Sequence, residues 1–290
     1  MSDSYYGRPI IKKPVWEPLD IAGYLFLGGL AGASSALGAA AQITGRPGLA
    51  RPSKLGASIA AGASLVALIH DLGRPARFFN MLRVFKPTSP MSVGSWLLSA
   101  YAPAAVAAAA SDITGIAPAI GAAATTVAAL AGPAVASYTA VLLADTAVPA
   151  WHSAYPHLPF VFASSAAAAA GGLAIAASPL AQSSPARRLS VVAALSEVAM
   201  SRRMRVRMGL SAETYKQGTA GVLTKVAEAL TVAGAAGAVL GRRSRAASAA
   251  GGVALLAGSA CTRFAIFHAG VASARDPKYT VIPQRESLGV

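Results

Sequence analysis

Apolar residues dominate eight long stretches of the chain, and charged residues are almost confined to the segments between them. The stretches are 19–43, 55–69, 91–110, 118–143, 158–177, 189–200, 219–241 and 246–269. Most are close to the roughly 20 residues that an α-helix needs to cross a bilayer. A soluble helix would instead show a polar face every 3.6 residues, whereas 162–175 carries no charge and only two serines as polar residues. The pattern therefore predicts an all-α polytopic membrane protein.

Two other interpretations of the apolar stretches stay open. The first is an alanine-rich soluble helical bundle, because alanine is only weakly hydrophobic. The second is a cleaved signal peptide at 19–43, since Lys12 and Lys13 precede it and three alanines, 39–41, follow near its end. The apolar region is longer than that of a typical signal peptide.

The region 115–151 decides the number of spans, because it forms either one helix or two helices split at Gly132-Pro133. Membrane helices tolerate a proline kink. One helix gives eight spans, with 15 basic residues on the side of the termini and 8 on the other. Two helices give nine spans and a ratio of 12 to 11. Cytoplasmic loops carry an excess of Lys and Arg, so we expect eight spans, with nine as the alternative.

This topology predicts two packed helical bundles in the cell membrane, with both termini in the cytoplasm. It divides the chain into an N-terminal segment that faces a partner (1–18), a transmembrane helical domain (19–269) and a C-terminal tail outside the membrane (270–290).

Charge and cysteine content exclude several classes of function. A formal charge of +14 would suggest nucleic-acid binding in a soluble protein, but these basic residues flank the spans, so we expect no nucleic-acid partner. One cysteine, Cys261, cannot support a disulfide scaffold, a cysteine-type zinc site or an iron–sulfur cluster held by this chain alone. A haem between His70 and His268 stays open, although both lie near the ends of spans; we expect no metal and no haem.

In the eight-span topology, nearly all ionisable groups within the spans, together with two tyrosines, fall in the half of the membrane nearer the termini. They are Asp20, Tyr24, His70, Asp71, Arg74, Tyr138, Asp145, Glu197, Lys225, Glu228, Arg263 and His268. Because charge within a bilayer is costly, such groups usually face a bundle interior and mark a pathway or site. We therefore expect a polar chamber that opens toward the side of the termini.

The chemistry of this chamber points to a quinone. The sequence has no glycine-rich phosphate loop, nucleophile elbow or paired-carboxylate motif, whereas Tyr, His, Asp and Arg can hydrogen-bond a quinone carbonyl and exchange protons with it. Tyr138 and Asp145 are seven residues apart, so we expect them on one helix face about 10 Å apart. The candidate catalytic residues for proton relay are His70, Asp71 and Asp145. The candidate quinone-binding residues are Tyr138, Tyr24, Asp20 and Arg74.

Some of these assignments have a purely structural alternative. His70, Asp71 and Arg74 could form a helix-capping cluster at the membrane interface, and Tyr24 could belong to an interfacial aromatic belt.

Several runs of sequence occur in an order and spacing that are specific when taken together. They are HDLGRPARF at 70–78 with KPTSPMSVGSW at 86–96, YTAVLL at 138–143 with PAW at 149–151, residues 263–270 with SARDPKY at 273–279, and YGRP at 6–9 with GLAG at 29–32. Through these runs the chain resembles the NrfD/polysulfide reductase membrane-subunit family over essentially its whole length.

The resemblance implies an eight-span quinone-binding anchor, usually without haem, which docks a ferredoxin-like iron–sulfur subunit connected to a molybdopterin-type catalytic subunit. Tyr138 matches a fourth-helix tyrosine that contacts the quinone in the polysulfide reductase member. That member also uses an Asn and a His at the start of its first helix, where this chain has Ile21 and Tyr24. Arg74 and Arg77 match a motif for docking or folding.

The sequence thus predicts a quinone-reactive anchor of an oxidoreductase. The Ala- and Arg-rich composition suggests a GC-rich genome, and hence menaquinone. Two alternatives are a proton channel or secondary transporter that uses the same intramembrane acids, and a structural anchor without quinone.

Overall fold

The computed structural model describes residues 10–288, and this part of the chain forms helices and no strands. The α-helices are α1 (Pro18–Ile43), α2 (Pro47–Asp71), α3 (Arg77–Met81), α4 (Pro90–Thr114), α5 (Pro118–Ala144), α6 (Pro149–His152), α7 (Leu158–Ala177), α8 (Ser184–Arg207), α9 (Gly218–Leu240), α10 (Arg245–Arg275) and α11 (Lys278–Leu288). A 3-10 helix, Gly209–Tyr215, lies between α8 and α9. The YGRP run at 6–9, and with it Arg8 of the charge count, lies outside the described residues.

Proline and glycine set many of the helix boundaries. Pro18, Pro47, Pro90 and Pro118 are the first residues of α1, α2, α4 and α5, where the fixed φ of proline suits a helix and its missing N–H is not needed. Helix α4 ends at Gly115, whose φ of +71° is a conformation that glycine adopts at little cost. These signals confine the connections to short segments.

The region 115–151 contains one long helix and not two. Helix α5 continues through Gly132 and Pro133, and the Ser137 hydroxyl donates a hydrogen bond to the Pro133 carbonyl at 2.8 Å. The split that nine spans would require is therefore absent, and the chain leaves α5 only at Asp145.

Seven helices in residues 10–288 are long and apolar enough to cross a membrane, namely α1, α2, α4, α5, α7, α9 and α10. Helix α8 has 24 residues and so has the necessary length, but it also carries six arginines and Glu197. The chain is thus a multi-pass helical membrane protein with seven candidate spans.

Helix α1 occupies the centre of the molecule and packs against α2, α5, α7 and α10. On one side of it, α4 packs against α2 and α5; on the other, α8 packs against α7 and α9, and α9 against α10. Glycines allow the closest crossings: a Cβ atom on Gly32 would overlap the carbonyl oxygen of Gly132 in α5. Small residues at such crossings let membrane helices gain van der Waals contact.

One buried ion pair lies near the opposite end of the bundle from the predicted chamber. Lys54 of α2 is 6% exposed, and its Nζ lies 2.9 Å from Oδ1 of Asp112 in α4. The expectation that this half holds almost no ionisable groups missed this pair, because the predicted stretches 55–69 and 91–110 exclude both residues.

Candidate functional site

The start of α1 and the end of α2 are joined by two polar contacts. His70 Nδ1 lies 2.6 Å from Asp20 Oδ2, and the backbone N–H of Glu17 donates to Asp71 Oδ1 at 3.3 Å. His70 is 77% exposed and Asp20 only 15% exposed. Three candidate residues therefore form one cluster at the membrane surface, with Asp71 as its inner member.

Two tyrosines meet deeper in the bundle. The hydroxyl groups of Tyr24 in α1 and Tyr138 in α5 are hydrogen-bonded to each other. Tyr24 is 4% exposed, and its backbone carbonyl accepts a hydrogen bond from the Ser64 hydroxyl at 3.2 Å. At 1.5 Å of rise per residue, both rings lie about 9 Å from the ends of their helices. The sequence predicted both tyrosines as site residues without predicting this contact.

A cavity of about 100 Å³ surrounds the tyrosine pair; we call it the tyrosine cavity. Its lining residues include Trp16, Ile21, Tyr24, Leu68, Asp71, Met81, Met91, Gly94, Ser95, Tyr138 and Leu142. The walls are largely apolar, and the polar groups are two phenols, one carboxylate, the Trp16 indole and the Ser95 hydroxyl, which donates to the Met91 carbonyl. Such a cavity suits a flat, apolar ligand that carries a few hydrogen-bond acceptors.

Gly94 lets the Tyr138 ring take its position. A Cβ atom at residue 94 would overlap the ring, so any larger residue in α4 would displace the tyrosine from the cavity. Sequence analysis did not single out Gly94, Met81 or Met91 as cavity residues, although Gly94 and Met91 fall within the 86–96 run.

The remaining predicted site residues lie on the surface. Asp145 is exposed and follows the last residue of α5, with φ −83° and ψ 36°. Its backbone N–H still donates to the Val141 carbonyl at 2.9 Å, but Asp145 does not line the tyrosine cavity. Arg74 is exposed in the segment after α2 and does not line it either.

A basic groove of about 950 Å³ lies beside the tyrosine cavity, and Trp16 forms part of both walls. The groove is lined by Lys12, Lys13, His268 and Arg275, among others. Trp16 stacks on Trp151 with ring centroids 5.6 Å apart, and Trp151 Nε1 donates to the Ile266 carbonyl at 2.8 Å. The indole of Trp16 thus lines both the basic groove and the cavity that contains the buried phenols of Tyr24 and Tyr138.

An ion pair outside the spans lies on the same side of the molecule as the basic groove. Lys278 Nζ lies 3.0 Å from Glu213 Oε2, which joins the start of α11 to the 3-10 helix. The hydrogen bond to Glu213 raises the pKa of Lys278 above its ordinary value.

The predicted single chamber is in fact divided. Glu197, Glu228 and Tyr215 line a different cavity, between α8, α9 and α10, and they share no lining residue with the tyrosine cavity. The sequence predicted Glu197 and Glu228, but not Tyr215, in one chamber with Tyr138 from their depth along the helices, and depth alone does not say which helices are neighbours.

We expect the two cavity phenols to be energetically coupled. In a double-mutant cycle of Tyr24→Phe and Tyr138→Phe, either single change breaks the shared hydrogen bond, so the second change costs little more. The coupling free energy should be about 0.5–1.5 kcal/mol, measured from the thermal unfolding of the purified protein in detergent. Strictly additive effects would show that the two hydroxyls do not interact.

Comparison with known proteins assigns the fold to a family. The family model described as "Polysulphide reductase, NrfD" matches residues 11–273, which is most of the chain. No curated protein matches the chain. Members of this family are membrane subunits of oxidoreductases and work with iron–sulfur and catalytic subunits. The chain therefore belongs to the NrfD polysulphide reductase family.

Proposed function

We propose that the protein is the quinone-reactive membrane anchor of a multi-subunit oxidoreductase and that the tyrosine cavity binds the quinone head group. The observation that carries this proposal is the hydrogen-bonded pair of Tyr24 and Tyr138 within an apolar cavity at membrane depth. A phenol O–H can donate to a quinone carbonyl, and the apolar walls suit the ring.

The arrangement gives each cavity residue a distinct task. Tyr138, oriented by Gly94, positions a carbonyl oxygen, and Tyr24 holds the Tyr138 hydroxyl in place. Asp71 is the carboxylate on the cavity wall, so it is the group that can pass a proton inward. The His70–Asp20 pair lies outside the tyrosine cavity, on the side that is exposed to water. A bound quinone, for which we propose menaquinone, would supply the two-electron, two-proton chemistry.

The exposed candidates take no part in this arrangement. Arg74 and Asp145 lie on the surface, so we assign them no contact with the quinone.

The basic groove supports a proposal for the electron partner. Lys12, Lys13 and Arg275 would attract an acidic face of a ferredoxin-like iron–sulfur subunit. Trp16 lines both this groove and the tyrosine cavity, so a cluster docked here would be close to the quinone. A molybdopterin-type catalytic subunit would complete the complex. Neither a haem nor an iron–sulfur cluster is assigned to this chain.

We further propose that α8 is an eighth span, which places both termini in the cytoplasm. Its 24 residues extend about 36 Å, and between Arg188 and Arg202 its only charged residue is Glu197. Helices α1, α2, α4 and α5 then form one four-helix bundle and α7–α10 the other.

Replacement of Tyr138 by Phe should impair quinone turnover and leave assembly intact, because it removes one hydroxyl and keeps the ring. The loss of one hydrogen bond predicts kcat/KM for quinone lower by about 3- to 12-fold, measured with the complex purified through this chain. Tyr101→Phe is the matched control, since Tyr101 is fully buried, donates to or accepts from Ser35 at 2.8 Å and does not line the cavity. Equal kcat/KM in wild type and Tyr138→Phe would refute the assigned role.

The proposed topology predicts the location of the C-terminus. In bacterial cells, a fluorescent reporter fused after Val290 should be active as a cytoplasmic fusion, and an alkaline phosphatase fused there should be inactive. A reporter in the loop 178–183, between α7 and α8, should give the opposite result. Phosphatase activity from the C-terminal fusion would contradict eight spans with cytoplasmic termini.

A further inference from the structure

A second cavity, which we call the glutamate cavity, lies between α8, α9, α10 and the 3-10 helix. It has a volume of about 30 Å³, and its polar lining includes Glu197, Arg205, Tyr215, Glu228 and Thr262. The quinone proposal gives these residues no role. Two of their polar atoms, Glu197 Oε2 and the Tyr215 hydroxyl, are buried and unpaired, which makes the cavity unlike an ordinary packing defect.

Glu197 is the central polar group of this cavity. The residue is 3% exposed; its Oε1 accepts a hydrogen bond from the Thr262 hydroxyl at 2.8 Å, and its Oε2 is buried without a protein partner. Glu197 lies ten residues before the end of α8, which is about 15 Å along the axis. A carboxylate oxygen at that depth is costly unless it binds a proton or water.

Arg263 supplies a buried charge of opposite sign. It is 0% exposed, donates to the Phe162 carbonyl at 2.8 Å and has its guanidinium 3.9 Å from the centroid of the Phe162 ring. Its Nε and Nη1 atoms are buried without a protein partner. Arg263 is near enough to Glu197 for electrostatic attraction, but the two form no direct ion pair in the described part of the chain.

These unpaired donors and the unpaired acceptor define positions for water. Buried waters in proteins typically make about three hydrogen bonds to polar groups that lack other partners. Water could satisfy Oε2 of Glu197 and the two nitrogens of Arg263, and the glutamate cavity, at about 30 Å³, has room for about two water molecules. The carboxyl group of Glu197 therefore borders a space that water can occupy.

The glutamate cavity reaches the surface beside α8 and α9. Glu228 is paired with Arg202 and, at 3.4 Å, with Arg205; Arg205 is 21% exposed. The Tyr215 hydroxyl is buried without a partner, and burial raises the pKa of Tyr215, so the phenol keeps its proton and can donate it. The ionised side chains of Glu228, Arg202 and Arg205 thus lie near the opening of the cavity. Glu197, whose charge a proton can neutralise, lies deeper.

Beyond the lining of the glutamate cavity, Arg263 approaches the central helix, α1. A Cβ atom on Gly29 of α1 would lie 3.5 Å from Arg263 Nη2. Gly29 follows Tyr24 by five residues, or about 7.5 Å along the helix. The polar groups therefore extend from the surface at α8 to the helix that carries the cavity phenol.

We propose that the glutamate cavity is a water-filled proton-uptake site in which Glu197 is the proton carrier. A proton that enters from bulk water is bound at Oε2, which converts the carboxylate to a neutral acid; its release inward restores the carboxylate, whose charge Arg263 balances. No electron is transferred in this step. That the proton is destined for the quinone rests on the proposed function, whereas the protonation of Glu197 does not.

The surroundings favour a proton over a metal cation. Arg205 lines the cavity and Arg263 is near enough to Glu197 for electrostatic attraction, and these two guanidinium groups repel a metal cation. The cavity also offers only one carboxylate oxygen without a partner, whereas alkali and alkaline-earth cations prefer several oxygen ligands. Binding of sodium at Glu197 is the alternative that the experiment must distinguish from binding of a proton.

The test is chemical labelling of the intact complex in its native membrane with dicyclohexylcarbodiimide, which adds to protonated carboxyl groups in apolar surroundings. Mass spectrometry should locate the adduct on Glu197, with none on Glu228 or Glu213, which are ionised in pairs with Arg202 and Lys278. The Glu197→Gln variant should lose the adduct, and added sodium chloride should not protect Glu197. Absence of labelling at Glu197, or protection by sodium and not by potassium, would overturn the proposal.

A second measurement separates this inference from the quinone assignment. In vesicles that contain the complex, Glu197→Gln should lose proton uptake coupled to quinone reduction and keep its bound quinone, while Glu197→Asp should restore part of the uptake. Tyr138→Phe should show the reverse pattern, with weaker quinone binding and unchanged labelling of Glu197. If Tyr138→Phe has no effect but Glu197 is still labelled, only the quinone assignment fails; if Glu197→Gln keeps full proton uptake, the inference fails.

Discussion

Close contact between helix backbones is the constraint on which the rest of the structure depends. Lipid is as apolar as the helix surfaces, so burial of apolar side chains contributes little free energy to the association of these helices. Van der Waals contact between closely packed helices must stabilise the bundle instead. Glycines at the crossings supply it: Gly32 lies against Gly132, and a Cβ atom on Gly237 would be 2.7 Å from the Cα of Gly251. A larger residue at either crossing would separate helices that hold the two cavities in shape.

The two cavities differ from these tight crossings because polar side chains, and not small residues, lie between the helices. The tyrosine cavity holds two phenols and Asp71; the glutamate cavity holds Glu197, with Arg263 nearby. Both lie toward the same end of the helices, and Arg263 contacts the helix that carries Tyr24. With the functions proposed above, a site for an apolar redox carrier lies beside a second polar cavity, which is the combination that coupled electron and proton transfer requires.

The sequence predicted the features that follow from local pattern. Long apolar stretches located the helices, and the depth of Tyr24, Asp71 and Tyr138 brought them into one predicted site. The sequence could not show what depends on distant contacts. Asp145 caps α5, but it is exposed and does not line the tyrosine cavity. Glu197 was placed in the same chamber as Tyr138, because no local signal records that α8 and α5 lie on opposite sides of α1.

The central claim, that the tyrosine cavity binds a quinone, is tested most directly by cross-linking with a photoreactive quinone. After illumination of the complex in native membranes, the account predicts that the label is found on peptides of α1, α4 and α5 that contain Tyr24, Gly94 and Tyr138, and that excess unmodified quinone removes it. A label found only on the lipid-facing surface, or only on α8 and α9, would contradict it.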